Sequence, residues 1–130
     1  MNTDFISNIN WSDKKILIVE DDPFSSNFLV ELLSGTHARL ELASNGEEAI
    51  SKLKAENDFD LILMDIQLPK LNGEMATKKI REFNKEIPII AQTAYAMVND
   101  REKYINIGCT DYISKPIDVD DLFSILCNYI

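Results

Sequence analysis

Leu61-Ile62-Leu63-Met64-Asp65-Ile66-Gln67-Leu68-Pro69 opens with four apolar residues and reaches a carboxylate at Asp65. An unbroken apolar run of this length suits a strand covered on both faces, as in a parallel sheet. The first apolar run of the chain, Ile16-Leu17-Ile18-Val19, ends the same way, in Glu20-Asp21-Asp22. If the two runs are neighbouring parallel strands, their carboxylates converge at one edge of a sheet. Like charges packed together are costly unless a cation or a transferred group offsets them. The pattern therefore points to a hard metal ion and phosphoryl chemistry rather than to a role in holding the fold together.

Outward from this stretch a rhythm is visible. Short apolar strands are expected at about 16–19, 38–43, 61–64, 87–92 and 111–113, with amphipathic helices between them. Asp22 and Pro23 read as N-cap and first residue of a helix whose apolar face is Phe24, Phe28, Leu29, Leu32 and Leu33, stopped by Gly35. Ser44 and Glu47 give a capping box for a helix burying Ala49, Ile50 and Leu53. A third helix is expected from about Gly73 to Phe83, with Met75, Ile80 and Phe83 inward. A fourth runs from about Met97 to Ile107 before Gly108, the usual residue past a helix end. The last starts at Asp118 and carries Val119, Leu122, Phe123, Leu126 and Ile130 at helical spacing.

Strands alternating with helices predict an α/β fold, a three-layer flavodoxin-like sandwich around a five-stranded parallel sheet. Right-handed crossovers suit the order 2-1-3-4-5. The runs at 16–19 and 61–64 are read as central, and Ala38–Ala43, which alternates, as an edge strand. Ligands of such sheets bind beyond the carboxyl ends of strands 1 and 3, where Glu20-Asp21-Asp22 and Asp65 fall.

The 130 residues fit one domain, and 45% apolar residues indicate a globular chain. Residues 1–13 read as an N-terminal linker or tail, and 14–130 as the domain proper. A net charge of −9 argues against nucleic acid and against direct contact with an anionic membrane. Cys109 and Cys127 lack metal-ligand spacing and read as reduced thiols of a cytoplasmic protein. No stretch is long and apolar enough to span a bilayer, and no secretory signal is visible. His37, the only histidine, is read as exposed at the head of the edge strand, so the chain supplies no histidine phosphodonor of its own. There is no Gly-Lys-Ser/Thr phosphate loop and no G-x-G-x-x-G turn.

The pieces Ile16-Leu17-Ile18-Val19-Glu20-Asp21-Asp22-Pro23, Leu63-Met64-Asp65-Ile66-Gln67-Leu68-Pro69, Asn72-Gly73, Thr93-Ala94 and Tyr112-Ile113-Ser114-Lys115-Pro116 occur in order at strand ends. Together they resemble the receiver domains of two-component response regulators, from about Lys14 to Ile130. The resemblance implies a domain that takes a phosphoryl group from phosphohistidine in a phosphorelay. Asp65 is then the acceptor; a carboxylate is a weak nucleophile, so positioning and charge neutralisation must do the catalysis. Glu20 and Asp21 become the acidic pair for Mg²⁺, joined by Asp65 and the backbone carbonyl of Gln67. Asp22 is assigned to helix capping instead. Lys115, before a Pro whose bond is cis in the family, pairs with Asp65. Thr93 and Tyr112 form the switch pair. Gln67 and Tyr95 flank the acceptor, and a bulky Tyr95 implies slow self-dephosphorylation.

The implied partner is a histidine kinase dimerisation domain or a histidine phosphotransfer domain, docked on the first helix at Phe24 and Phe28. The face of the fourth helix, fifth strand and last helix is the implied switch surface. The domain by itself is an acceptor without turnover. The stretches Pro88–Met97 and Asn72–Arg81 resemble receivers of hybrid sensor histidine kinases, which would make the domain the cytoplasmic part of a membrane-anchored kinase. The alternatives are a free-standing single-domain regulator and, less favoured, a degenerate receiver serving as a protein-binding module. An aspartate-nucleophile phosphatase is disfavoured because Gln67 stands where that class needs an acid. A flavin-binding domain is disfavoured because Glu20-Asp21-Asp22 would repel the flavin phosphate.

Overall fold

Strands and helices alternate strictly along the chain in a computed structural model that describes residues 8–68, 72–94 and 100–130. The order is β1 (Lys15–Val19), α1 (Pro23–Ser34), β2 (Arg39–Ala43), α2 (Gly46–Ala55), β3 (Leu61–Asp65), α3 (Gly73–Phe83), β4 (Ile89–Thr93), α4 (Asp100–Ile107), β5 (Asp111–Ser114) and α5 (Val119–Tyr129). All pairings are parallel and the sheet runs β2-β1-β3-β4-β5, the order expected from the sequence. The register sets Ile16 beside Leu61 and Asp65 beside Gln92, so β1, β3 and β4 end near one another.

Every residue of β1, β3 and β4 is buried, because helices cover both faces. Leu17, Val19, Ile62, Met64 and Ala91 pack with Ala49 and Leu53 of α2, Ala76 and Ile80 of α3, and Tyr104 of α4. Ile16, Ile18, Leu61, Leu63 and Ile90 pack on the other side with Leu29 and Leu33 of α1 and Leu122, Phe123 and Leu126 of α5. Ile9 and Trp11 join this second layer; the Trp11 ring stacks on Phe123 at 6.2 Å, and its backbone N–H donates to the Thr36 carbonyl. Phe5 and Ile6 lie outside the described residues.

Several inward faces differ from the sequence reading. Phe24 is 87% exposed and Phe28 is 43% exposed, while Ser26, Leu29 and Leu33 form the buried stripe of α1. Phe24 lies in the first turn of α1. In α3 the buried stripe is Gly73, Ala76, Thr77 and Ile80; Met75 and Phe83 are exposed. Small residues let this helix approach the sheet closely, which turns Met75 outward. The cap of α2 is Asn45, one residue later than expected; its side chain accepts from the Glu48 N–H, and the Glu48 carboxylate reaches back to the Ser44 hydroxyl. β2 is the edge strand expected, but Leu42 is exposed and the Glu41 side chain is tied to Lys15. α4 ends at Gly108, whose φ of +122° is left-handed; residues 97–99, its expected start, lie outside the described residues. Cys109 is buried, Cys127 is exposed and both are free, while His37 is exposed. No helix among the described residues is long and apolar enough to cross a membrane.

Candidate functional site

The carboxyl ends of β1, β3, β4 and β5 carry the residues singled out above. Asp65 closes β3, Thr93 closes β4, Glu20 follows β1, and Lys115 follows β5. Asp65 and Thr93 are the last residues of buried strands, so the sheet register fixes them, while Glu20 and Lys115 stand one residue beyond β1 and the part-buried β5. Glu20 and Asp65 are buried at 5% and 2% exposure, and Asp21 is exposed. Carboxylate oxygens of Glu20, Asp21 and Asp65 all lie within 4.8 Å of one another.

Lys115 reaches into this group. Its ammonium stands 3.1 Å from Glu20 Oε2 and 3.4 Å from Asp65 Oδ2. Its backbone N–H donates to the Thr93 carbonyl at 2.8 Å, which ties the loop after β5 to the end of β4. The Lys115–Pro116 peptide bond is cis, as the resemblance implied. The second Asp65 oxygen, Oδ1, accepts the Gln67 N–H at 3.0 Å. Asp22 caps α1, accepting from the Phe24 N–H and the Ser25 hydroxyl, and is not in the carboxylate group.

One glycine sets how closely α3 starts to the end of β3. The Gly73 N–H donates to the Ile66 carbonyl. A Cβ there would overlap the Asp65 carbonyl oxygen and lie 2.7 Å from Ile66 Cα. Only glycine lets α3 start this close to the acceptor strand.

The electrostatics are unbalanced. Burial pushes the Glu20 carboxyl above its ordinary range, and the Asp65 charge pushes it further. Burial alone would lower the Lys115 ammonium, but the Glu20 hydrogen bond and the charges of Asp65 and Glu20 outweigh it and hold it up. Two like charges 4.8 Å apart repel by about 3 kcal/mol at an effective dielectric near 20. Three carboxylates facing one ammonium leave two formal negative charges, which a divalent cation would match. Oxygen donors in this number and close grouping fit a hard ion such as Mg²⁺.

The family profile of the response regulator receiver domain matches residues 16–126. The chain belongs to that family. A receiver structure of Pseudomonas aeruginosa, from sensor histidine kinase PA1611, is 36% identical with a TM-score of 0.81; it covers 89% of this chain and 96% of that one, and was solved with a magnesium ion coordinated in its active site cleft. The co-crystal of the Saccharomyces cerevisiae histidine phosphotransfer protein Ypd1 with the receiver of its response regulator Ssk1 contains a chain matching at 32% identity and a TM-score of 0.83, covering 90% of this receiver and 88% of that chain. Hybrid signal transduction histidine kinase G of Dictyostelium discoideum is 42% identical over 120 residues, which is 88% of this receiver and 4% of that protein.

Thr93 is buried and Tyr112 is half-buried, its ring 5.4 Å from that of Tyr104. The Gln67 side chain is exposed, and Tyr95 lies outside the described residues. Gln92, just before Thr93, was missed by sequence reasoning. It is wholly buried, and neither end of its carboxamide has a hydrogen-bond partner among the described residues. The available signal was one amide in the otherwise apolar strand Ile89-Ile90-Ala91.

Proposed function

We propose that this receiver domain takes a phosphoryl group from a phosphohistidine onto Asp65. The grouping of Glu20, Asp21 and Asp65 within 4.8 Å, with Lys115 set between two of them, carries this reading. Glu20, Asp21, Asp65 and the Gln67 backbone carbonyl are the ligands assigned to Mg²⁺. When bound, the ion supplies charge neutralisation for the acceptor and for the oxygens of the transferring group. One Asp65 carboxylate oxygen forms the new P–O bond as the P–N bond to the donor imidazole breaks. The imidazole nitrogen keeps the bonding pair and takes a proton from solvent. Lys115 stays beside Asp65 and pairs with a phosphoryl oxygen. The Thr93 hydroxyl donates to another, and Tyr112 turns into the space Thr93 leaves, so that the α4–β5–α5 face changes shape.

The donor is a histidine phosphotransfer or kinase dimerisation domain, supported by the Ypd1 complex of the related Ssk1 receiver. A place within a hybrid histidine kinase is supported by the kinase G relative, of which this domain matches 4%. Incubation with phosphoramidate and Mg²⁺, read by intact mass, tests the acceptor role. One phosphoryl adduct on the wild type and none on Asp65→Asn is the expected result; an unmodified wild type would overturn the reading.

A further inference from the structure

Residues 9–14 lead into β1 through two fixed turns. The Ser12 N–H donates to the Asn10 side chain at 3.0 Å, and the Lys14 N–H donates to the Trp11 carbonyl at 2.8 Å. The segment is also tied to the turn between α1 and β2. The Trp11 N–H donates to the carbonyl of the buried Thr36 at 2.6 Å, and the Lys14 carbonyl accepts the Arg39 N–H at 2.9 Å. The Thr36 hydroxyl in turn donates to the Leu33 carbonyl and accepts the Ala38 N–H. His37 completes this turn at a left-handed φ of +68°, a conformation that a residue other than glycine keeps where its surroundings impose it. Ile9 and Trp11 pack on the core layer that holds Leu33 of α1 and Phe123 of α5, and the Trp11 and Phe123 ring planes stack 28° apart. Trp11 therefore joins three segments: the entry to β1, the turn after α1 and the middle of α5.

We infer that residues 9–14 are a strap that ties the position of α5 to the chain entering β1, so that the acceptor site and this segment respond to each other. This rests on the acceptor role of Asp65 and the change of the α4–β5–α5 face proposed above. A helix spends its backbone hydrogen bonds on itself, so α5 is held on the sheet by side chains, among them the wholly buried Leu122, Phe123 and Leu126. The other end of the tie is backbone, bonded at Thr36 and Arg39 beside the starts of β1 and β2. A shift of α5 against the sheet is then taken up between the Trp11 and Phe123 rings. By reciprocity, the contacts that hold α5 as it stands here oppose an arrangement favoured by an occupied acceptor. A strap that only filled the seam between α1 and α5 would add stability and leave the acceptor end unaffected.

The test uses beryllofluoride with Mg²⁺, which mimics a phosphoryl group on a carboxylate. Its occupancy is followed by fluorine NMR, and the strap by the emission of Trp11, the sole tryptophan of the chain. Saturation should shift the Trp11 emission in the wild type and not in Asp65→Asn. Trp11→Ala should bind beryllofluoride about fivefold more tightly than the wild type, the low end of coupling between linked sites. Trp11→Phe, which keeps a stacking ring, should stay near the wild-type affinity. Emission unmoved at full occupancy, emission that moves equally in Asp65→Asn, or Trp11→Ala binding as the wild type does would each overturn the inference. Should Trp11→Ala fail to fold, the emission of the wild type decides. A wild type that never binds beryllofluoride removes the acceptor reading of Asp65 itself, and the coupling with it.

Discussion

At the amino end of the sheet Lys15 reaches Glu41, Glu56 and Asp58 at 2.9, 2.7 and 3.0 Å; at the carboxyl end Lys115 reaches Glu20 and Asp65 at 3.1 and 3.4 Å. In the first cluster the buried partner is the cation. Its ammonium also lies 4.4 Å from the centre of the Phe59 ring, and the Glu56 and Glu41 hydrogen bonds hold its pKa above the usual lysine value. The acids around it are part-exposed and can shed excess charge to water. In the second cluster the buried partners are the carboxylates, and the ammonium is the more exposed group. The same residue types thus close a structure at one end and leave a charge deficit at the other. What separates them is which sign is denied water, because desolvation penalises the buried group most.

The largest break in this contrast comes from Asp65→Asn. It should abolish phosphoryl acceptance, seen as loss of the mass adduct, while the protein melts at or above the wild-type temperature because one of two mutually repelling buried charges is gone. A clear fall in melting temperature would show that Asp65 serves the fold, as Lys15 does.

Next comes the exchange of the two lysines for methionine. Lys115→Met leaves Glu20 and Asp65 buried without a counter-ion and should cost about 3 kcal/mol in metal-free urea unfolding. Millimolar Mg²⁺ should restore much of that loss by binding the folded state. Lys15→Met should also destabilise, but Mg²⁺ should not restore it. Equal response of the two variants to Mg²⁺ would erase the distinction between the ends.

A smaller effect is expected in the pH dependence. Glu20 has a raised pKa in the fold, so just above its ordinary value of 4.5 the folded state keeps a proton that the unfolded chain releases. Metal-free stability attributable to Glu20 therefore falls as pH rises from 4.5 through the raised folded value. Glu20→Gln should lack this fall, and Mg²⁺ should flatten it in the wild type. Denaturation curves at several pH values would expose the error if the two proteins tracked each other without metal.

The smallest expected change is in the stability of Phe24→Ser. With the ring 87% exposed, unfolding free energy should stay within about 0.5 kcal/mol of wild type. A larger drop would show that Phe24 supports the fold, against its place on an open rim.

Much of the architecture was written locally. The unbroken apolar runs at 16–19 and 61–64 identified buried central strands, and Asp22-Pro23 and Asp118 marked helix starts through caps that depend on a few neighbouring residues. The motif residues Asp65, Lys115 and Glu20 were legible because each follows or ends a strand, and parallel topology sends all such ends to one edge. Helix faces were read less well. Periodicity marks the apolar residues, but the depth of a helix on its sheet decides which of them are covered: Met75 and Phe83 were assigned inward and lie outward, while Phe24 and Phe28, read as part of the apolar face of α1 and also as a docking surface, are exposed.

The sequence alone determined the alternation of strands and helices, the sheet order and the residue types that could do the chemistry, since these follow from short-range pattern and from the handedness of crossovers. Only the tertiary structure decided how charge is shared between the two lysine clusters, that Gly73 must be bare for α3 to seat beside Asp65, and that Gln92 is sealed in without a partner among the described residues. Those outcomes depend on distances between segments far apart in the chain, and no local pattern encodes such distances.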